Sequence, residues 1–193
     1  MCGGGGNAAQ AAQDQEAVRR QQVADATGRV NNIFDSPARQ AQYTNFGDSL
    51  RQYLTGELAR KKTIADRNLK FSLARSGNTG SSVAADQNAT LGDEFTRGTL
   101  DAERKVQGGV ADLRSSDEAA RLNLTNLATS GVDTGTAATQ AAATMRTNLQ
   151  RAQGAATVDG LGDVFSSTAK TVQDSADAAA KRRQTRYATL GLY

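Results

Sequence analysis

Two stretches decide how this chain is read: Leu73-Ala74-Arg75-Ser76-Gly77-Asn78-Thr79-Gly80-Ser81 and Leu127-Ala128-Thr129-Ser130-Gly131-Val132-Asp133-Thr134-Gly135-Thr136. Each comes after a long helix-compatible segment and precedes another. The pattern is that of an αα-hairpin joint. Gly77 and Gly131 take the left-handed conformation that closes a helix, Gly80 and Gly135 complete the turn, and Ser81 or Ser82 and Thr136 cap the next helix. A helix filling the interval from Gly77 to Gly131 would run for roughly 70 Å. The expected fold is therefore all-α, with long antiparallel helices joined by Gly-containing turns as extended helical hairpins.

Working outward from these joints, Asp35-Ser36-Pro37 is a third break, because the sole proline sits where proline is welcome, at the first position of a helix capped by Ser36. The organisation expected is a Gly-rich lead over 1–7, an N-terminal helix over 8–35 opened by Asn7, a long-helix hairpin or bundle over 36–187, and a tail over 188–193. Within it, helices are expected from Pro37 to about Ser76, from about Ser82 to Thr129, and from near Thr136 toward Tyr187. The first of these carries Tyr43, Phe46, Leu50, Tyr53, Leu54 and Leu58 at three and four spacing, a stripe for packing or assembly. Val164, Phe165 and Val172 form a second stripe. Gly92, Gly98, Gly108 and Gly109 interrupt the third helix, implying close helix contact or a helix built to bend. Ser115-x-x-Glu118 resembles a capping box and marks a local restart there. Gly154 and Gly160-Leu161-Gly162 are expected kinks.

Composition narrows the function classes. Leu, Ile, Val and Phe make up 32 of 193 residues, below the rough 20% at which a compact core becomes doubtful. The net charge of only +3 excludes self-repulsion as the cause. Alanine takes the place of the larger side chains, and it packs helices closely while burying little area. Self-assembly or partners are expected to supply the rest.

With no histidine and one cysteine, Cys2, the chain lacks the residues of the usual zinc sites and of Ser-His-Asp or Cys-His catalysis. No phosphate-binding loop appears either, since Gly3–Gly6 has neither a preceding strand nor a following lysine. No enzyme activity and no cofactor are expected. The amino terminus shows no signal-peptide pattern and no window is apolar enough to span a membrane. Basic clusters at Arg60-Lys61-Lys62 and at Lys181, Arg182, Arg183 and Arg186 read as solvated helix faces or as charge near a helix C-terminus, with non-specific DNA contact at the second as the alternative.

The Met1-Cys2 opening with its small residues, and above all Lys70-Phe71-Ser72-Leu73-Ala74-Arg75-Ser76-Gly77-Asn78-Thr79-Gly80-Ser81-Ser82-Val83, resemble the small internal virion proteins of short-tailed, podovirus-type bacteriophages. The motif-level likeness covers about fifteen residues and the helical organisation most of the chain. The resemblance implies an internal core or ejection protein, stored in the capsid near the portal, expelled with the genome, and reassembled as part of a DNA-conducting channel in the host envelope. It implies as partners further copies of the chain, other virion proteins of the portal, core or tail, and the host membrane after ejection. The rival expectation is a structural adaptor at the portal, neck or tail that stays in the particle. A signalling coiled coil is the weaker third reading, because heptads are not sustained.

Overall fold

A computed structural model of the chain describes the backbone over residues 5–131 and 134–158, side chains from residue 9, and the isolated residues Lys170, Gln173, Asp174, Asp177, Ala178 and Lys181. It contains four α-helices in the order α1 Gly5–Phe34, α2 Pro37–Ser76, α3 Ser82–Thr129 and α4 Thr134–Val158. No strand occurs among the described residues. The fold is all-α, built of long helices that run antiparallel across Gly-containing turns.

The joints form for local chemical reasons. At the end of α2 the Asn78 N–H donates to the Leu73 carbonyl at 2.9 Å and the Gly77 N–H to Ala74 at 3.3 Å. With Gly77 at φ 74°, this is a Schellman termination, in which a left-handed glycine turns the chain back to satisfy orphan carbonyls. Ser81 then caps α3, its Oγ accepting from the Ala84 N–H at 3.3 Å. Gly131, at φ 99°, ends α3 in the left-handed conformation as well, its N–H donating to Ala128 at 3.2 Å. At the first break one hydroxyl serves two helices: Ser36 donates to the Ile33 carbonyl at 2.8 Å and accepts from the Arg39 N–H at 3.2 Å.

Several expectations are corrected: α1 begins at Gly5, so Asn7 lies inside it and does not open it. Gly135 and Thr136 lie inside the first turn of α4, which starts at Thr134, so Gly135 is not a turn residue and Thr136 is not the cap. Helix α3 is continuous for 48 residues through Ser115 and Glu118, with no restart. Of the two expectations for the α3 glycines, close helix contact does not hold at Gly92 and Gly108, where a Cβ would meet nothing within 4 Å, and a helix built to bend is the one that stands for them. Helix α4 likewise passes through Gly154 without ending there. The expected kink at Gly160-Leu161-Gly162 lies outside the described residues.

The chain divides into two compact units. The first joins residues 1–48 to 107–158, bringing together α1, the start of α2, the end of α3 and α4. Its apolar cluster comprises Val30 and Phe34 of α1, Leu124 of α3, and Ala137, Ala141 and Met145 of α4. The second contains the hairpin of residues 49–106, in which Leu54, Leu58, Leu69 and Leu73 of α2 and Leu91, Ala102 and Val106 of α3 are buried. There the Arg51–Glu103 ion pair, at 3.0 Å, and the Lys62 ammonium 4.7 Å from the centre of the Phe95 ring set the antiparallel register.

Candidate functional site

In the first unit the buried stripe of α2 is Arg39, Tyr43 and Phe46, the three and four spacing that turns one helical face inward. A cation thus occupies a core position. Its counterpart is Asp117 of α3, on the buried stripe Leu113, Asp117, Leu124 and Ala128. Helix α4 adds Asn148 at the end of the stripe Ala137, Ala141 and Met145. Three helices therefore place one polar residue each at the same place in an interior that is otherwise apolar.

The Asp117 carboxylate is the hub. Its Oδ2 accepts from Arg39 Nε and from the Tyr43 hydroxyl at 2.6 Å, and its Oδ1 accepts from Asn148 Nδ2 at 3.0 Å. Arg39 Nη2 makes a close ion-pair contact with the same Oδ2, yet its angle leaves it without a well-formed hydrogen bond. Arg39 Nη1 donates to Gln42 Oε1 at 2.6 Å. Two guanidinium groups approach the Tyr43 ring, Arg39 at 4.9 Å and Arg114 at 5.2 Å from its centre. Burial, reinforced by the hydrogen bond to Asp117, raises the Tyr43 phenol above its ordinary value of 10.0.

A solvent-open cavity of about 360 Å³ adjoins the cluster. Its charged lining sets two cations, Arg114 and Arg121, among three carboxylates, Asp35, Asp117 and Glu118. Arg121 is held by Asn31 at 2.9 Å and Asp35 at 3.1 Å, a clasp from α3 to the end of α1. The carboxylate at the centre has its lone pairs engaged by donors on two neighbouring helices, α2 and α4, so its chemistry is that of a clamp on helix register. Among the described residues no group of three or more acidic or cysteine side chains is placed to hold a metal ion, and no helix is long and apolar enough to cross a membrane.

The residues singled out in the sequence fall into three groups. Tyr43, Phe46, Leu50, Leu54 and Leu58 are buried as expected, whereas Tyr53 is 39% exposed and leaves the packing stripe. Gly77 and Gly131 have the left-handed backbone, and Gly80 sits in the turn after Gly77. Lys181 is exposed. Val164, Phe165, Val172, Arg182, Arg183 and Arg186 lie outside the described residues. Arg39, Asp117 and Asn148 are not marked by any sequence motif, and the one available signal is position: Arg39 is four residues before Tyr43 on the same stripe.

Compared with protein-family models, curated proteins and solved structures, the chain matches none.

Proposed function

We propose that this chain is a non-enzymatic internal virion protein of a short-tailed bacteriophage, a core or ejection component that leaves the capsid with the genome and helps form a DNA-conducting channel across the host envelope. The observation that carries this reading is the interior of the first unit. Among its described residues helix α4 buries only Ala137, Ala141, Met145 and Asn148, and an ion pair stands where large apolar side chains would otherwise pack. Small side chains bury little area, and a buried ion pair contributes less than well-packed apolar residues of the same volume. A unit of this kind opens at low cost, which suits a protein that must pass a narrow portal and reassemble beyond it. The likeness at Lys70–Val83, the stretch that forms the turn between α2 and α3, supports the same reading. Function then resides in helical surfaces, with no cofactor, and with other virion proteins, DNA and the host envelope as successive partners.

A second reading, a structural adaptor at the portal, neck or tail that stays in the particle, draws on the helix joints. The Schellman termination at Gly77 and the Ser81 cap secure the α2–α3 turn, and α3 is unbroken over 48 residues, as suits a permanent fitting. Quantifying the protein in full particles and in particles that have released their DNA separates the two. Loss on release supports ejection, and undiminished content supports the adaptor.

A further inference from the structure

Toward its turn, the 49–106 hairpin carries charges of opposite sign, unpaired among the described residues, on its two outer faces, Arg67 and Arg75 on α2 and Asp86 and Asp93 on α3, while Arg60 and Arg104 farther from the turn are paired with Glu57 and Asp101 of their own helices. On α2, Tyr53, Arg60, Ile64, Arg67, Phe71 and Arg75 repeat at spacings of three, four and seven, which places them on one face, opposite the buried Leu58, Leu69 and Leu73. Phe71 is 64% and Ile64 51% exposed, interleaved with three arginines on the one stripe. Among the described residues neither Arg67 nor Arg75 has an ion pair. On α3 the face opposite the buried Ala84, Leu91 and Ala102 carries Asp86, Ala89, Asp93, Arg97 and Leu100. Asp86 and Asp93 are likewise exposed and without an ion pair among the described residues, and Leu100 is 56% exposed.

We propose that the 49–106 hairpin binds a second copy of this chain head to tail, the α2 stripe of one copy lying against the α3 stripe of the next. The register within the hairpin makes the two stripes interlock. Lys62 over Phe95 sets Phe71 level with Asp86 and Ile64 level with Asp93. When a neighbour stands alongside at the same height, its Asp86 falls between Arg67 and Arg75, and its Asp93 between Arg60 and Arg67. Each of those steps is about 6 Å or less along the axis, within the reach of an arginine. The neighbour's Arg97 falls level with Arg60, whose charge is already paired with Glu57 of the same helix. Ala89 falls between Ile64 and Phe71, where a small side chain leaves room for both.

The contact of the α2 stripe with the α3 stripe joins unlike faces of the two copies. The contact is therefore heterologous, and repetition of a heterologous contact closes a ring or extends a filament. An anionic lipid surface or a nucleic acid would engage the α2 stripe alone and leave Asp86 and Asp93 facing outward as repelling charge. This contact holds whether the chain is ejected or retained.

Sedimentation velocity of the full chain under reducing conditions, across protein and salt concentration, tests the proposal. The wild type is expected to self-associate, less so at high salt. Arg67→Glu with Arg75→Glu, or Asp86→Arg with Asp93→Arg, is expected to weaken association at least about tenfold by replacing attraction with repulsion. The chain carrying all four changes is expected to associate with itself again and not with the wild type, with circular dichroism confirming helical content throughout. A wild type that stays monomeric, association indifferent to these reversals, or failure of the four-fold variant to recover overturns the proposal. So does an α2 stripe that instead takes the monomer onto anionic vesicles or DNA.

Discussion

Arg39, in the first turn of α2, and Asp117, in the C-terminal half of α3, form an ion pair at core positions 78 residues apart in sequence. Because the Asp117 carboxylate also accepts from Tyr43 and Asn148, removing it leaves a buried guanidinium without its counter-charge and a buried amide without its acceptor. Asp117→Ala is expected to destabilise the first unit by about 3–5 kcal/mol, and Tyr43→Phe by about 1 kcal/mol. Replacing the pair together, Arg39→Met with Asp117→Leu, is expected to cost less than Asp117→Ala, because no charge is then left buried alone and only Tyr43 and Asn148 lose their acceptor. Urea unfolding monitored by circular dichroism checks the order. If the double replacement is as harmful as Asp117→Ala, the pair contributes net stability and the interior is less easily opened than proposed.

The same cluster gives an alkaline signature. The Tyr43 phenol is raised above 10.0 by burial and by its bond to Asp117. The folded state therefore keeps a proton that the unfolded chain gives up first. Its contribution is complete below about pH 10 and is lost as pH rises from there through the folded value. Tyr43→Phe is expected to flatten this loss, measured as the difference in unfolding free energy from wild type between pH 8 and pH 11. Parallel curves would show that the phenol's environment is not what the cluster geometry implies.

The acid side reports on α1. Glu16 is lowered from 4.5 to about 2 by hydrogen bonds from Arg19, at 2.8 Å, and from Arg20, at 3.1 Å. A lowered carboxylate contributes above its unfolded value and loses that contribution as pH falls toward the folded one. Fraying of α1 is thus expected between about pH 4.5 and pH 2. Glu16→Gln should remove that dependence in amide exchange of residues 12–20. The groups are solvent-accessible, so the effect is small and salt-sensitive.

Glycines divide by backbone rather than by sequence context. Gly77 and Gly131 hold φ of 74° and 99°, so Val at either is expected to destabilise by about 1–2 kcal/mol or more. Gly28, Gly56, Gly92 and Gly108 sit in helices where a Cβ meets nothing within 4 Å. Alanine at each of these is expected to stabilise by about 0.5–1 kcal/mol. Thermal unfolding of the six single variants gives the comparison, and equal effects at both groups would contradict it. Under the ejection reading, the four-fold alanine variant is also expected to slow genome delivery, since a stiffer helix opens less readily.

What is legible in the sequence is local. The joints can be read because a left-handed glycine, a capping serine and a proline at the first helical position each act within a turn of the chain. The stripe from Tyr43 to Leu58 can be read because burial repeats at the helical period. Tyr53 breaks the pattern: Leu54, one residue on, takes the core position after Leu50, and the aromatic is left on the outer face. Gly135 is misplaced by its sequence context because α4 already begins at Thr134, which draws the second glycine into the helix. Arg39, Asp117 and Asn148 are illegible for a different reason. A charge at a core position makes sense only beside its partner, and the partner is chosen by how separate helices meet.

The claim at the centre of this account is that the protein leaves the particle and joins the host envelope. The most direct measurement is fractionation of infected cells after adsorption of particles carrying the labelled protein, with emptied particles collected from the same culture. Recovery of the label in the envelope fraction, with emptied particles depleted of it, is the result expected. Full retention of the label in emptied particles would contradict the account and leave the adaptor in its place.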